Sequence, residues 1–107
     1  RILKSAMSEI LGTDEHAPTP RLTQLYKTWA DGGAGLLITG NVMVDRRALG
    51  EPGNVALEDE RDLAQFREWA DAGRRNGTQL WMQINHRASR RRLGSRAFRS
   101  TARMATW

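Results

Sequence analysis

Three polar residues, Gln83, Asn85 and His86, gather at the end of "QLWMQINH", Gln79 to His86, after the apolar stretch Leu80 to Met82. A carboxamide carries donors and an acceptor together, so it can hold the edge of a flat heterocycle that presents the complementary groups. The alternation of a strand sorts the run into two faces, with Leu80, Met82 and Ile84 on one and Trp81, Gln83 and Asn85 on the other. With the first face against helices, Gln83 looks into an interior, where an unpaired amide costs about 1–3 kcal/mol. Its partners are either a bound heterocycle or neighbouring strands and water, and the residue type alone leaves both open.

Small or polar residues also follow the other two apolar runs: Ser8 after "ILKSAM", and Gly40 with Asn41 after "GLLIT". Metal chemistry has little to build on. The chain has no cysteine and only two histidines, His16 and His86. That excludes disulfides and thiolate zinc sites, and no metal ligand is assigned. Nor is any residue assigned a catalytic role.

The elements that must place these residues alternate. A strand is expected over Ile2 to Met7, then a polar loop, Ser8 to Thr19. Thr19 is a natural N-cap and Pro20 a natural first helical residue. Leu22, Leu25, Tyr26, Trp29 and Ala30 give the helix one apolar face, and Gly32 and Gly33 end it. "GLLIT", Gly35 to Thr39, is short and continuously apolar, as a strand covered on both faces should be. A second loop, Gly40 to Asn54, leads to a helix over Leu57 to Gly77. Glu58, Asp59, Glu60 and Asp62 stand in its first turns and Arg74 and Arg75 in its last, matching the helix dipole. The third strand is Gln79 to Asn85.

Strand, helix, strand, helix, strand implies a parallel sheet. A dinucleotide-binding doubly wound sheet needs its glycine-rich turn between the first strand and first helix. Here Gly32, Gly33 and Gly35 follow a helix and precede a strand, so they read as a cap and tight turn. The α/β fold class expected is therefore the (β/α)8 TIM barrel, of which the first βαβαβ portion is present. Chemistry in such barrels sits where strands end and βα loops begin.

Charge divides the chain in two. Residues 87–107 hold seven arginines and no acidic residue. The ten lysines and arginines before them face all twelve acidic residues, a net of −2, although the whole chain carries +5. An Arg-rich irregular tail over 87–107 is expected, set apart from a domain over 1–86. It reads as a solvated or disordered tail, as the product of a frameshift or truncation, or as a nucleic-acid-binding arm. The last is the alternative function, a small basic nucleic-acid-binding protein. Interleaved aromatics for base stacking are missing from the tail, which has only Phe98 and Trp107. No window is long and apolar enough to span a membrane, and no signal peptide opens the chain, so a cytoplasmic location is expected.

The residues carry a resemblance as well. "RILKSAMSE", "LYKTWADGGAGLLITGNV" and "QLWMQINH" occur in the order of the opening strand, first helix with second strand, and third strand of the old yellow enzyme family. These are NADH:flavin oxidoreductases built on an FMN-binding barrel. "GGAGLLITG" is the most diagnostic piece, and the resemblance covers nearly all of Arg1 to His86. From Arg87 the chain departs from the Pro-Gly continuation usual there.

The resemblance implies FMN as cofactor, NADH or NADPH as reductant, and a small electrophilic substrate of the enone type. It places Ala6 and Met7 where backbone meets the flavin, with Ala6 replacing the usual proline. Ser8 falls where the family has Thr or Cys beside the ring, and Asn41 where it commonly has Ala or Gly. Gln83 matches the glutamine on the pyrimidine edge of FMN, and His86 a structural histidine. The substrate-activating pair, the proton donor and the FMN phosphate site come from later strands in that family, so 107 residues alone are expected to be inactive.

Overall fold

The computed structural model describes residues 2–47, 53–87 and 100–107. Residues 48–52 of the second loop, Gly50 and Pro52 among them, lie outside these, as does most of the tail. The described elements are β1 (Ile2–Lys4), α1 (Pro20–Asp31), β2 (Ala34–Met43), β3 (Val55–Ala56), α2 (Leu63–Gly73), β4 (Gln79–Arg87) and β5 (Ser100–Thr106), with a 3-10 turn at Arg75–Gly77.

Helix α1 begins as its sequence dictates. Thr19 Oγ1 accepts from Leu22 N at 3.3 Å and donates to Leu11 O at 2.6 Å, so one side chain caps the helix and ties it to the first loop. Pro20 occupies the first turn, and Gly33 beyond the helix takes the left-handed conformation at φ 95°. Helix α2 starts later than its charge pattern suggested. Glu58, Asp59 and Glu60 precede it, and Asp62 is an N-cap without a side-chain cap bond. Three of these four acids instead pair with arginines: Asp59 with Arg61 at 2.8 Å, and Glu58 and Asp62 with Arg46 at 3.5 and 3.3 Å. Arg75, past the helix end, reaches Asp31 at 2.9 Å.

The sheet runs β1-β2-β4-β5. β1, β3 and β4 all pair with β2 in parallel. β1 meets β2 at Ala34 to Leu37 and β3 meets it at Val42 and Met43, so the two short strands share one edge while β4 takes the other. One face is covered by α1 and α2. Leu22, Tyr26 and Ala30 from α1 meet Phe66, Trp69 and Ala70 from α2 over Leu37, Val42, Val55 and Leu80. Tyr26 and Trp69 join the helices edge to face, with centroids 5.3 Å apart.

Three further expectations need correction. The first strand ends at Lys4 rather than Met7, and the second runs on through Gly40 to Met43, because a bulge described below carries it past the glycine. The tail is not irregular throughout. Ser100–Thr106 is a strand antiparallel to β4, with Gln83 opposite Met104 and Trp81 opposite Thr106. Its physical basis is the outer edge of β4, whose N–H and C=O groups need partners. An aromatic anchor also holds it: Trp107 packs edge to face on Trp69 at 4.9 Å and against Phe66 at 6.1 Å, and its N–H donates to Leu80 O at 2.9 Å. Small polar residues with little apolar alternation hid this strand in the sequence.

Candidate functional site

The face of the sheet away from the helices carries the residues expected at the strand ends. Leu80 is fully buried against the helices and Met82 packs on the same core, whereas Trp81 is 38% exposed. The two-face sorting of "QLWMQINH" therefore holds, and Gln83 lies on the face away from the helices. Asn41 is its partner on the neighbouring strand, and Asn85 Nδ2 donates to Asn41 Oδ1 at 2.8 Å. The Gln83 amide makes no hydrogen bond among the described residues and is only half-buried.

Asn41 reaches this face through an irregularity. Ile38 pairs with Trp81 and Asn41 with Gln83, so β2 takes three steps where β4 takes two. Thr39 and Gly40 together oppose Met82, which makes a bulge. Without the extra residue Gly40 would stand opposite Gln83 and the Asn41 side chain would point at the helices, since one residue of slip exchanges the faces. The bulge also removes two amides from the ladder. Thr39, fully buried, accepts the Gln83 N–H on Oγ1 at 3.0 Å and donates to Gly40 O at 2.8 Å. The Gly40 N–H goes to Glu9 Oε1 at 3.2 Å and Tyr26 Oη at 3.3 Å.

Glu9 belongs to a polar cluster that the sequence reading missed. The Tyr26 hydroxyl donates to Glu9 Oε1, and Lys4 Nζ lies 3.5 Å from the same oxygen. Lys4 also donates to Ile38 O at 2.6 Å and sits over the rings of Trp29 and Tyr26, 4.7 and 5.1 Å from their centroids. The Lys4 and Glu9 side chains keep 13% and 8% of their accessible surface. Burial holds the Lys4 ammonium below its usual range, only partly offset by the Glu9 charge. Burial, and then the Glu9 carboxylate, push the Tyr26 phenol far up, so it stays protonated. The available signals were a charged pair, Lys4 and Glu9, flanking the short stretch Ser5 to Ser8, and a glycine inside a strand run, which often marks a bulge or close backbone approach.

The chain between Lys4 and Glu9 crosses β2 at that glycine. A Cβ at Gly40 would collide with the Met7 carbonyl oxygen and the Glu9 carboxylate. The Ala6–Met7–Ser8 segment is thereby seated next to Asn41, whose partner is Gln83. Ala6 is half-buried, while Met7 and Ser8 are exposed. Main chain from the first βα loop, a carboxamide from β2 and another from β4 thus occupy three successive strand ends. His86 is exposed on β4, and His16 sits in the first loop at φ 66°, apart from this group. Among the described residues there is no cluster of side chains suited to a metal ion.

The surroundings fit the flavin that the resemblance implies. Among the described residues the Gln83 amide has no hydrogen-bond partner, and it carries donor and acceptor capacity on one group. Next to it the glycine at position 40 lets backbone approach without side-chain bulk.

Comparison with known proteins agrees. The sequence profile of the NADH:flavin oxidoreductase / NADH oxidase family matches residues 1–105, which carries the match beyond His86. The NADH-dependent flavin oxidoreductase iliE of Hypocrea jecorina is 37% identical over 90 residues, covering 80% of this chain and 22% of that protein. The NADH oxidase of Thermoanaerobacter brockii is 36% identical over 90 residues, covering 80% of this chain and 13% of its own. In fold, the old yellow enzyme homologue from Zymomonas mobilis superposes with a TM-score of 0.72 at 22% identity, over 80% of this chain and 24% of that one. The chain thus spans about a fifth of the length of the first of these relatives. With its partial parallel barrel and these matches, it belongs to the NADH:flavin oxidoreductase / NADH oxidase family, on the old yellow enzyme fold.

Proposed function

We propose that this segment forms one wall of an FMN site in an oxidoreductase that takes hydride from NADH or NADPH and delivers it to a small electrophilic substrate, an alkene conjugated to a carbonyl. The observation that carries the reading is Gln83: an amide without protein partners among the described residues, on the face away from the helices, directly opposite Asn41. A flavin's pyrimidine edge presents both donors and acceptors, which is what such an amide complements. FMN, when bound, supplies the two-electron chemistry.

The chain's own residues bind and orient. Gln83 would hold the pyrimidine edge, the Ala6–Met7 main chain would lie along the ring, and Ser8 would place a hydroxyl beside it. Asn41, braced by Asn85, would line the floor between them. The Thr39 hydroxyl, by taking the Gln83 N–H, fixes the height at which the Gln83 side chain leaves the strand. Among the described residues no helix is long and apolar enough to cross a membrane. The arginine side chains of residues 87–103, on which a nucleic-acid arm would rest, lie outside the described ones.

Titration of FMN into isotopically labelled chain, followed by backbone and side-chain amide resonances, tests the reading. Weak binding is expected, since four parallel strands, one of them only two residues long, surround only part of a ring. Met7, Ser8, Asn41 and the Gln83 carboxamide should shift together. A response confined to other residues, or none under saturating FMN, would refute it.

A further inference from the structure

We propose that Glu9 is a positioning residue, whose carboxylate holds the Thr39–Gly40 bulge in register and thereby fixes both the face that Asn41 presents and the seat of the Ala6–Ser8 segment. The proposal rests on the flavin-site reading only for its functional meaning. Its structural content stands on the geometry of the cluster.

A bulge in a parallel strand releases an amide from the ladder, and that amide needs an acceptor. For Gly40 the acceptors are Glu9 Oε1 and Tyr26 Oη. Of the two, only Glu9 belongs to the loop that carries Ala6, Met7 and Ser8. Its Oε1 also receives the Tyr26 hydroxyl and faces the Lys4 ammonium, which is itself fastened to Ile38 O immediately before the bulge. One carboxylate oxygen thus gathers β1, the first loop, the β2 bulge and α1. Gly40 has no Cβ to keep this loop away, so the Met7 carbonyl and the Glu9 carboxylate lie directly on it. Were the bulge to slip out, Gly40 would replace Asn41 opposite Gln83, and the Asn85–Asn41 bond would be lost with it. Lys4 and Tyr26 fix the carboxylate from the helix side, where Trp29 closes off the ammonium.

Two variants of the chain separate this from a general contribution to the core. Glu9→Ala removes all contacts of the carboxylate. Tyr26→Phe removes one hydroxyl and leaves Glu9 with Lys4 and Gly40. Amide exchange at Gly40, backbone order parameters at Met7 and Ser8, and the Asn85 carboxamide resonances are followed by NMR. In Glu9→Ala, Gly40 exchange should accelerate at least about tenfold while Leu37 and Leu80 stay protected. Order parameters at Met7 and Ser8 should fall from about 0.85 to below about 0.6. The Asn85 carboxamide should lose its bonded shift. Tyr26→Phe should lower global stability yet leave Met7, Ser8 and Asn85 as in the parent. Should Glu9→Ala fail to fold, Glu9→Gln is the substitute, with the same pattern at reduced amplitude.

Unchanged Met7, Ser8 and Asn85 in the Glu9 variant would overturn the proposal, and so would equal loosening by Tyr26→Phe. FMN added to the same samples keeps the two readings apart. If FMN moves no resonance of the parent chain, the flavin reading fails while the bulge measurements still decide the role of Glu9. If FMN shifts Ser8 and Gln83 in the parent and Gln83 alone in the Glu9 variant, positioning is supported, because global loosening would remove both responses.

Discussion

Asn41 stands opposite Gln83 across β2 and β4 only because Thr39 and Gly40 together take the place opposite Met82. The pairing of the two carboxamides is therefore a product of backbone irregularity rather than strand periodicity. Each group that maintains the irregularity can be removed singly.

Thr39→Val is the simplest change. It keeps shape but removes the hydroxyl that accepts the Gln83 N–H in a fully buried position. A loss of roughly 1–3 kcal/mol in unfolding free energy is expected, from one buried amide left unpaired. Urea denaturation would measure it, and unchanged stability would mean that the Gln83 N–H finds another acceptor.

Gly40→Ala acts from the other side. The new methyl would meet main chain at Met7 and the Glu9 carboxylate, and backbone cannot rotate away as a flexible side chain can. A destabilisation of about 1–3 kcal/mol is predicted, the usual range for overpacking. Amide shifts should spread to Ala6–Ser8 as well as β2. A neutral substitution would show that the loop does not rest on Gly40.

How far the sequence carried the reading is visible in these two residues. The strand–helix alternation, the α1 boundaries and the two faces of "QLWMQINH" all follow from periodicity and capping, which are local. Gln83 was identifiable because alternation alone assigns its face. The bulge was not, since it depends on which strand lies alongside, and neither was the Lys4–Glu9–Tyr26 cluster, whose members meet only once α1 packs on the sheet. β5 escaped for a related reason: its pairing is dictated by the open edge of β4 rather than by its own composition.

Gln83→Leu tests the site itself. In a flavin-loaded protein carrying this segment, the change removes the amide's donor and acceptor with little change of volume. Flavin affinity should fall by on the order of 1–3 kcal/mol, and the flavin reduction potential should shift. Equilibrium dialysis and a redox titration would measure both. If neither moves, Gln83 does not touch the ring.

Tyr26 offers a pH signature, as the chain's only tyrosine. Its phenol is raised above the ordinary value of 10.0, so its contribution to stability is complete below pH 10.0 and is lost as pH rises beyond it. Lys4, lowered from 10.5, acts in the opposite sense, because between its folded value and 10.5 the unfolded chain holds more protons and stability rises with pH. Ultraviolet titration of the folded chain should show no phenolate at pH 10, with phenolate appearing together with unfolding at higher pH. Ordinary titration of a folded sample near pH 10 would contradict the buried cluster.

Trp107→Ala probes the last strand. Trp107 is half-buried against Trp69 and Phe66, so the loss should be about 1–3 kcal/mol, below the 3–5 of a fully buried tryptophan. Near-ultraviolet circular dichroism should weaken with it. If stability and spectrum are both unchanged, β5 does not dock on α2 in solution.

The antiparallel sense of β5 has a topological cost. In a (β/α)8 barrel the strand beyond this β4 approaches the same edge in parallel, after a crossover. That edge accommodates one ladder at a time, and Trp81 to Arg87 are already matched to Thr106 back to Ser100. β5 and a fourth barrel strand are thus mutually exclusive occupants, and ring closure on this side demands eviction of β5 by strand exchange. While it stays in place, β5 is an internal competitor of closure and a shield against pairing with a foreign chain.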